Sequence, residues 1–250
     1  MEDKARELAP VLVDMLAKKP ASSRLLVGIY GIPASGKSTF ADLLLKYIDI
    51  LLVNDPQNSA ILVSLDGWHL SRAQLAQFPD PILARDRRGA HWTFDSASYL
   101  QFVQSLRTEI SADMQIIKAP SWDHSLKDPT PDAISIHPNH RLVIIEGLYA
   151  ALGVDSWGEA ALLLDERWYI ELSVEEAQRR LVKRHVITGV GKDLADALWR
   201  AEKNDFPNGQ FLITNAVTPT RVISSVEDPV LTVEADIALS EAIRAQSKSV

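Results

Sequence analysis

The chain has 250 residues, 46% apolar and 24% charged, with 26 Lys plus Arg against 33 Asp plus Glu and a formal charge of −7. That length buries one full core, and the composition is that of a folded globular protein rather than a disordered one. The acidic balance argues against a broad nucleic-acid-binding face, and the absence of cysteine excludes disulfides and thiolate metal sites.

Residues 1–20 (MEDKARELAPVLVDMLAKKP) start acidic and read as an amphipathic helix, without a basic segment leading into an apolar one. No apolar run reaches spanning length, so the expectation is a cytoplasmic protein with no membrane association. Residues 24–30 (RLLVGIY) suit a strand buried on both faces. After Lys37 the period changes: Phe40, Leu43, Leu44, Tyr47 and Ile48 recur at three- and four-residue steps, one helical stripe. A second buried strand is expected at 61–65 (ILVSL). A polar, arginine-rich segment follows, then a helix over about 96–110 with Asp95 or Ser96 as N-cap. Residues 114–118 suit a strand. Residues 119–139, with Pro120, Pro129, Pro131 and Pro138, predict an irregular loop whose length suggests a function. Strands are expected at 141–145 (RLVII) and 168–172 (WYIEL), and a strongly basic helix over 174–188. A helix to about Lys203 comes next, then a turn at 204–209 (NDFPNG), a terminal strand and a terminal helix. Strands alternating with helices predict an α/β fold, a parallel sheet flanked by helices, in a single domain over 1–250.

GIPASGKS matches the phosphate-binding pattern G-x-x-x-x-G-K-[ST] with Gly31, Gly36, Lys37 and Ser38. Glycines let backbone amides of residues such as Ala34 and Ser35 turn toward phosphate oxygens. Lys37 reaches the β and γ phosphates, and the helix start at Lys37, Ser38 and Thr39 offers its positive dipole end. Ser38 sets a hydroxyl where Mg²⁺ bridges those phosphates. The expected ligands are therefore ATP and Mg²⁺. In open α/β sheets, ligands sit beyond the carboxyl ends of the strands, which draws attention to Asp66 after ILVSL and Glu146 after RLVII. Glu146 fits a carboxylate that holds Mg²⁺ or its water; the competing reading is a helix cap. Asp66 fits a base for an attacking hydroxyl; the competing reading is an ordinary Asp-Gly turn.

Together GIPASGKST, SLDGWHL, RRGAHWTFD, APSWDHSLKDPTP, RLVIIEGLY, RRLVKRHVITG and NDFPNG resemble the P-loop small-molecule kinases of the uridine kinase, phosphoribulokinase and bacterial pantothenate kinase superfamily. The likeness looks strongest to the branch of fructose-transport-associated kinases and a fungal P-loop kinase-like protein, and it spans about residues 25–215. It implies a three-layer P-loop fold with a helical lid and a kinase that phosphorylates a hydroxyl of a small metabolite. It also implies Asp66 as general base, with Glu146 joining Ser38 at Mg²⁺. Uridine kinases carry a tyrosine where this chain has His69. The acceptor frame is expected from His69, Arg88, His91, Trp122, Asp123 and His124, although Trp122 also suits a loop anchor and Arg88 a solvated basic turn. The basic helix resembles the lid of these kinases over 174–204, with Arg184 as a phosphate contact and Arg180 on the same face; a solvated charged face is the competing reading. Residues 204–209 are read as a turn with an optional contact to the nucleotide base. A nucleotide-driven switch acting through a protein partner, and a nucleotide binder without catalysis, are the alternatives. A monomer and a homodimer fit the sequence equally.

Overall fold

The structure is a computed structural model that describes residues 1–111, 113–123, 125–187 and 193–226. In chain order the elements are α1 (Glu2–Ala17), β1 (Leu25–Tyr30), α2 (Lys37–Leu52), β2 (Ser59–Ser64), α3 (Arg72–Leu75), α4 (Pro81–Asp86), α5 (Ser96–Leu106), β3 (Ile117–Asp123), β4 (Asp128–Ile136), β5 (His140–Glu146), α6 (Asp155–Leu162), β6 (Glu166–Glu171), α7 (Val174–Ile187), α8 (Leu194–Arg200), α9 (Phe206–Asn215) and β7 (Arg221–Ser224). A short 3₁₀ turn, Leu65–Trp68, follows β2, and a π-helical turn, Ala201–Asp205, joins α8 to α9.

Five strands form one parallel sheet in the order β2-β5-β1-β6-β7. All six residues of β1 are buried, so its apolar run is continuous while its side chains alternate between layers. Leu25, Val27 and Ile29 pack under α1 and α2 with Leu12, Phe40, Leu44, Ile48 and Trp168. Leu26 and Tyr30 belong to the opposite core with Trp68, Tyr99, Phe102, Ile145, Tyr149 and Trp157, beneath α5 and α6. Helix α1 shows why it docks: Ala5, Leu8, Ala9, Leu12 and Leu16 form one buried stripe. The helix-flanked α/β sheet expected from the sequence is the one observed. Among the described residues no helix is long and apolar enough to cross a membrane.

Several local expectations change. Residues 119–139 are not an irregular loop, because β3 and β4 make an antiparallel hairpin whose buried residues include Ala119 and Ile136. A two-stranded ribbon tolerates proline along its free edges, and Pro120 falls where the register shifts between Ala119 and Ser121. The hairpin turn is tied by Asp123 Oδ1, which accepts from the amides of Ser125 and Leu126. The strand expected at 114–118 accordingly begins at Ile117. Second, residues 204–209 are helical. Pro207 sits in the first turn of α9, directly after the π-helical turn Ala201–Asp205. Third, β5 runs through Glu146, making that acid part of the strand rather than the residue after it. The helix expected over 96–110 stops at Leu106, with Asp95 as its N-cap, accepting from the Ser98 amide. The terminal strand is β7. The terminal helix, His124 and the segment 188–192 lie outside the described residues.

Candidate active site

The loop between β1 and α2 is built to receive an anion. Ala34 (φ 63°) and Gly36 (φ 86°) are both left-handed, a geometry that turns successive amides to one side. The N-terminal amides of α2 have no side-chain cap, so their donors and the helix dipole remain available. Gly31 is required by close approach, since a Cβ there would lie 2.7 Å from both the Ile170 carbonyl oxygen and Ser35 Oγ. Ser35 Oγ itself is buried without a hydrogen-bond partner. Thr39 is exposed on the first turn of α2.

Strand register sets Glu146 beside this loop. It pairs with Ile29 on one side and Ser64 on the other, at the carboxyl edge of three strands. The Ser38 hydroxyl donates to Glu146 Oε1 at 3.1 Å, and Lys37 Nζ stands 3.9 Å from the same oxygen. A hydroxyl and a carboxylate are hard oxygen donors of the kind Mg²⁺ takes while drawing its other ligands from phosphate and water. Among the described residues no group of three His, Asp or Glu forms a competing metal cluster. The residues present therefore fit a Mg²⁺–triphosphate.

Glu146 is only 7% exposed, and burial pushes its carboxyl above the usual range; Lys37 and the Ser38 hydroxyl oppose that rise, while Asp66 and Asp42 add to it. The folded state thus holds this proton more tightly than the unfolded chain. The associated stability is present below the ordinary carboxyl pKa and is lost as pH climbs through the raised one. Glu146→Gln should consequently melt higher than the parent at neutral pH in the absence of nucleotide, with the gain shrinking toward pH 4. A melting series across pH checks this, and a lower Tm for the variant at pH 7 would contradict it.

Asp66 lies two residues beyond the strand position paired with Glu146. Its amide donates to Ser64 Oγ, its side chain is 53% exposed, and its charge is felt at Glu146. The turn that carries it is packed too tightly for side chains at two points. A Cβ on Gly67 would meet the Pro120 carbonyl oxygen at 2.4 Å, and one on Gly147 would meet Leu65 Cβ at 2.3 Å. The β3–β4 hairpin is therefore seated directly on the Asp66 turn.

Beside Asp66 the rings and a guanidinium form a row. His69 Nδ1 is 2.9 Å from the Asp66 carbonyl oxygen, and its ring packs at a tilt against Phe94 (centroids 3.9 Å) and Trp122 (4.8 Å); the Arg88 guanidinium lies over the Trp122 ring at 4.9 Å. Burial lowers the His69 pKa, favouring the neutral imidazole. Arg88 is held by Asp128 and by the carbonyls of Leu70 and Lys127, so it ties the hairpin to the segment before α3. His91 faces elsewhere, stacked on Phe211 of α9 at 4.3 Å. Of the expected acceptor frame, His69, Trp122 and Arg88 come together; His91 joins α9.

On α7, Arg180 bonds Glu176 and also donates to Ser225 Oγ at 3.1 Å. Ser225 Oγ is in turn the side-chain atom nearest the open face of Gly36, which brings Arg180 alongside the phosphate loop. Arg184 is exposed one turn further on. His185 Nε2 contacts Asp205 Oδ2 at 2.9 Å, linking α7 to the π-helical turn.

Sequence reasoning passed over Arg87. It ends α4, and Gly89, at φ 110°, turns the chain so that Arg88 faces the hairpin while Arg87 faces α9. Arg87 donates to Asn204 Oδ1 and Asn208 Oδ1. The visible signal was a glycine closing a helix just after paired arginines.

No protein-family model matches the chain. It is 46% identical over 151 residues to the ATP-dependent kinase-like protein notR′ of Aspergillus versicolor, covering 60% of this chain and 88% of that protein. A Schizosaccharomyces pombe protein with a provisional uridine kinase name is 34% identical over 205 residues, 81% of this chain and 84% of its own. Among solved structures, Saccharomyces cerevisiae YFH7, provisionally described as a P-loop kinase with a circular permutation, superposes with a TM-score of 0.75 at 22% identity, covering 90% of this chain and 99% of that one. A provisionally assigned fructose transport system kinase from a Silicibacter species gives 0.74 at 24%, covering 88% and 98%. The two structural likenesses establish the shared fold.

Proposed function

We propose that this chain, which belongs to the P-loop kinases of the uridine kinase, phosphoribulokinase and bacterial pantothenate kinase superfamily, transfers the γ-phosphate of ATP to a hydroxyl of a small metabolite. One observation carries the reading: the phosphate loop with Ser38 and Glu146, and the exposed carboxylate of Asp66, share one sheet edge and are coupled through adjacent strand register.

In this reading Lys37 and the amides of residues 34–38 hold the triphosphate, with Ser38 and Glu146 toward its metal. Mg²⁺, when bound, neutralises charge on the phosphate oxygens. Asp66 orients the acceptor hydroxyl and takes its proton as the oxygen bonds to the γ-phosphorus and the bond to the departing ADP oxygen breaks. His69, whose burial favours the neutral imidazole, packs against the Phe94 and Trp122 rings, stiffening the acceptor side and giving it an apolar flank. Arg180 and Arg184 on α7 supply cations to the phosphates, and residues 174–204 serve as the lid that excludes water.

The acceptor is to be found by measuring ATP turnover with pools of sugars, nucleosides and vitamins. Turnover should rise at least about tenfold over the acceptor-free rate with one pool, since excluded water makes hydrolysis the slow side reaction. Fast hydrolysis indifferent to every pool, together with a tightly bound protein partner, would replace the kinase reading with that of a nucleotide-driven switch.

A further inference from the structure

Two neighbouring arginines follow α4, and their surroundings differ. Arg88 has a carboxylate partner in Asp128. Arg87, half-buried, has none among the described residues; its two hydrogen bonds run to amide carbonyl oxygens, Nε to Asn204 Oδ1 and Nη2 to Asn208 Oδ1, both 3.4 Å. Asp86, the residue before it, is paired with Arg85, and Asp205, the residue after its partner Asn204, is paired with His185.

The two amides are themselves fixed. Asn204 Nδ2 donates to the Arg88 carbonyl at 2.8 Å, Asn208 Nδ2 donates to Asn204 Oδ1 at 3.1 Å, and Asn208 is 4% exposed. Neutral partners therefore aim the guanidinium without cancelling its charge. A cation drawn partly out of water without a counterion is costly, and the cost is relieved when an anion arrives. With five N–H donors, Arg87 has capacity beyond its two long bonds. The residue after Asn208 borders the phosphate loop, since Gly209 packs on Ile32 and Pro33 so closely that a Cβ would meet Pro33 Cδ at 3.3 Å.

We propose that Arg87 is a phosphoryl-contacting residue, engaging the terminal phosphate of a triphosphate held in the cradle, with Asn204 and Asn208 as its positioning residues. The inference rests on the reading of residues 31–38 as that cradle. It also gives the π-helical turn a role: Asn204 serves Arg87 while its neighbour Asp205 bonds His185 of α7, so the basic helix and the phosphate-sensing arginine are anchored on adjacent residues.

Equilibrium binding of ADP and of a non-hydrolysable ATP analogue to the full chain tests the assignment. Arg87→Gln should weaken the triphosphate analogue about tenfold or more while leaving ADP nearly unchanged, the size expected for charge-assisted hydrogen bonds to one phosphate. Arg87→Lys, keeping the charge without the fork, should recover part of the loss. Equal losses for both nucleotides, or none for either, would overturn the proposal. Should Arg87→Gln fail to fold, Asn204→Asp sets a counterion against an intact Arg87; the same selective loss supports the assignment, and a parental ADP-to-triphosphate ratio refutes it. Lys37→Ala run alongside separates the two levels. If it weakens both nucleotides while Arg87→Gln weakens neither, only the arginine's role is wrong; if it too changes nothing, the cradle falls and the proposal with it.

Discussion

Lys37→Ala should lose triphosphate affinity by at least about a hundredfold, because each charge-assisted contact from the ammonium to a phosphate is worth roughly 1.5–3 kcal/mol and the proposed cradle sets the lysine against two phosphates at once. Its site makes the loss specific. Lys37 opens α2, one residue after the left-handed Gly36, and its ammonium stands 3.9 Å from Glu146 Oε1. Truncation leaves the helix start and the backbone cradle in place, since alanine is a good helix former and the cap uses no side chain. The fold should therefore survive. Removing Lys37 also takes away the cation that opposes the upward shift of Glu146, so that carboxyl should hold its proton to higher pH than in the parent and offer a poorer metal ligand as pH is lowered. The defect should thus deepen as pH falls toward 6. Calorimetric titration of ADP and an ATP analogue at pH 8 and pH 6 checks both claims; parental affinity at pH 8 would remove Lys37 from the phosphate site.

The parallel sheet with helices on its faces was legible because it depends on periodicity and burial. The run LLVGIY alternates between two cores, and nothing but a doubly covered central strand accommodates that many apolar residues in succession. The phosphate loop was legible because its glycines answer steric needs visible as Gly31 against Ile170 and Gly36 at φ 86°. The hairpin was hidden because its prolines read as breakers, and only a sheet with two open edges lets Pro120 and Pro129 stay. The helical state of NDFPNG was hidden for a similar reason. Its Asn, Pro and Gly are turn formers taken singly, yet Asn208 is buried against Asn204 and Gly209 against Pro33, and tertiary packing outweighs propensity. Arg87 could not be told from Arg88 in sequence. What separates them is the turn at Gly89 and the choice of an amide or a carboxylate as partner, and those partners lie 121 and 40 positions away in sequence.

Asp66→Asn should lower phosphoryl transfer by about a hundredfold or more, the usual worth of a positioned general base, while nucleotide affinity stays nearly constant. The substitution keeps shape and leaves the backbone anchors of the turn, the Asp66 amide on Ser64 Oγ and the Asp66 carbonyl beside His69 Nδ1. What it removes is the negative charge and the capacity to take a proton. An indirect effect through the metal site would run the other way. Asp66 is one of the groups pushing the Glu146 carboxyl upward, so neutralising it should make Glu146 easier to ionise and the Ser38–Glu146 pair no worse as a cation ligand. A fall in turnover beside unchanged or slightly tighter Mg²⁺–nucleotide binding therefore locates the defect on the acceptor side. Single-turnover rates and nucleotide titrations on the same preparation distinguish the cases: a parallel loss of transfer and of nucleotide affinity would move Asp66 to the donor half of the site, and near-parental transfer would leave the acceptor hydroxyl without its assigned base.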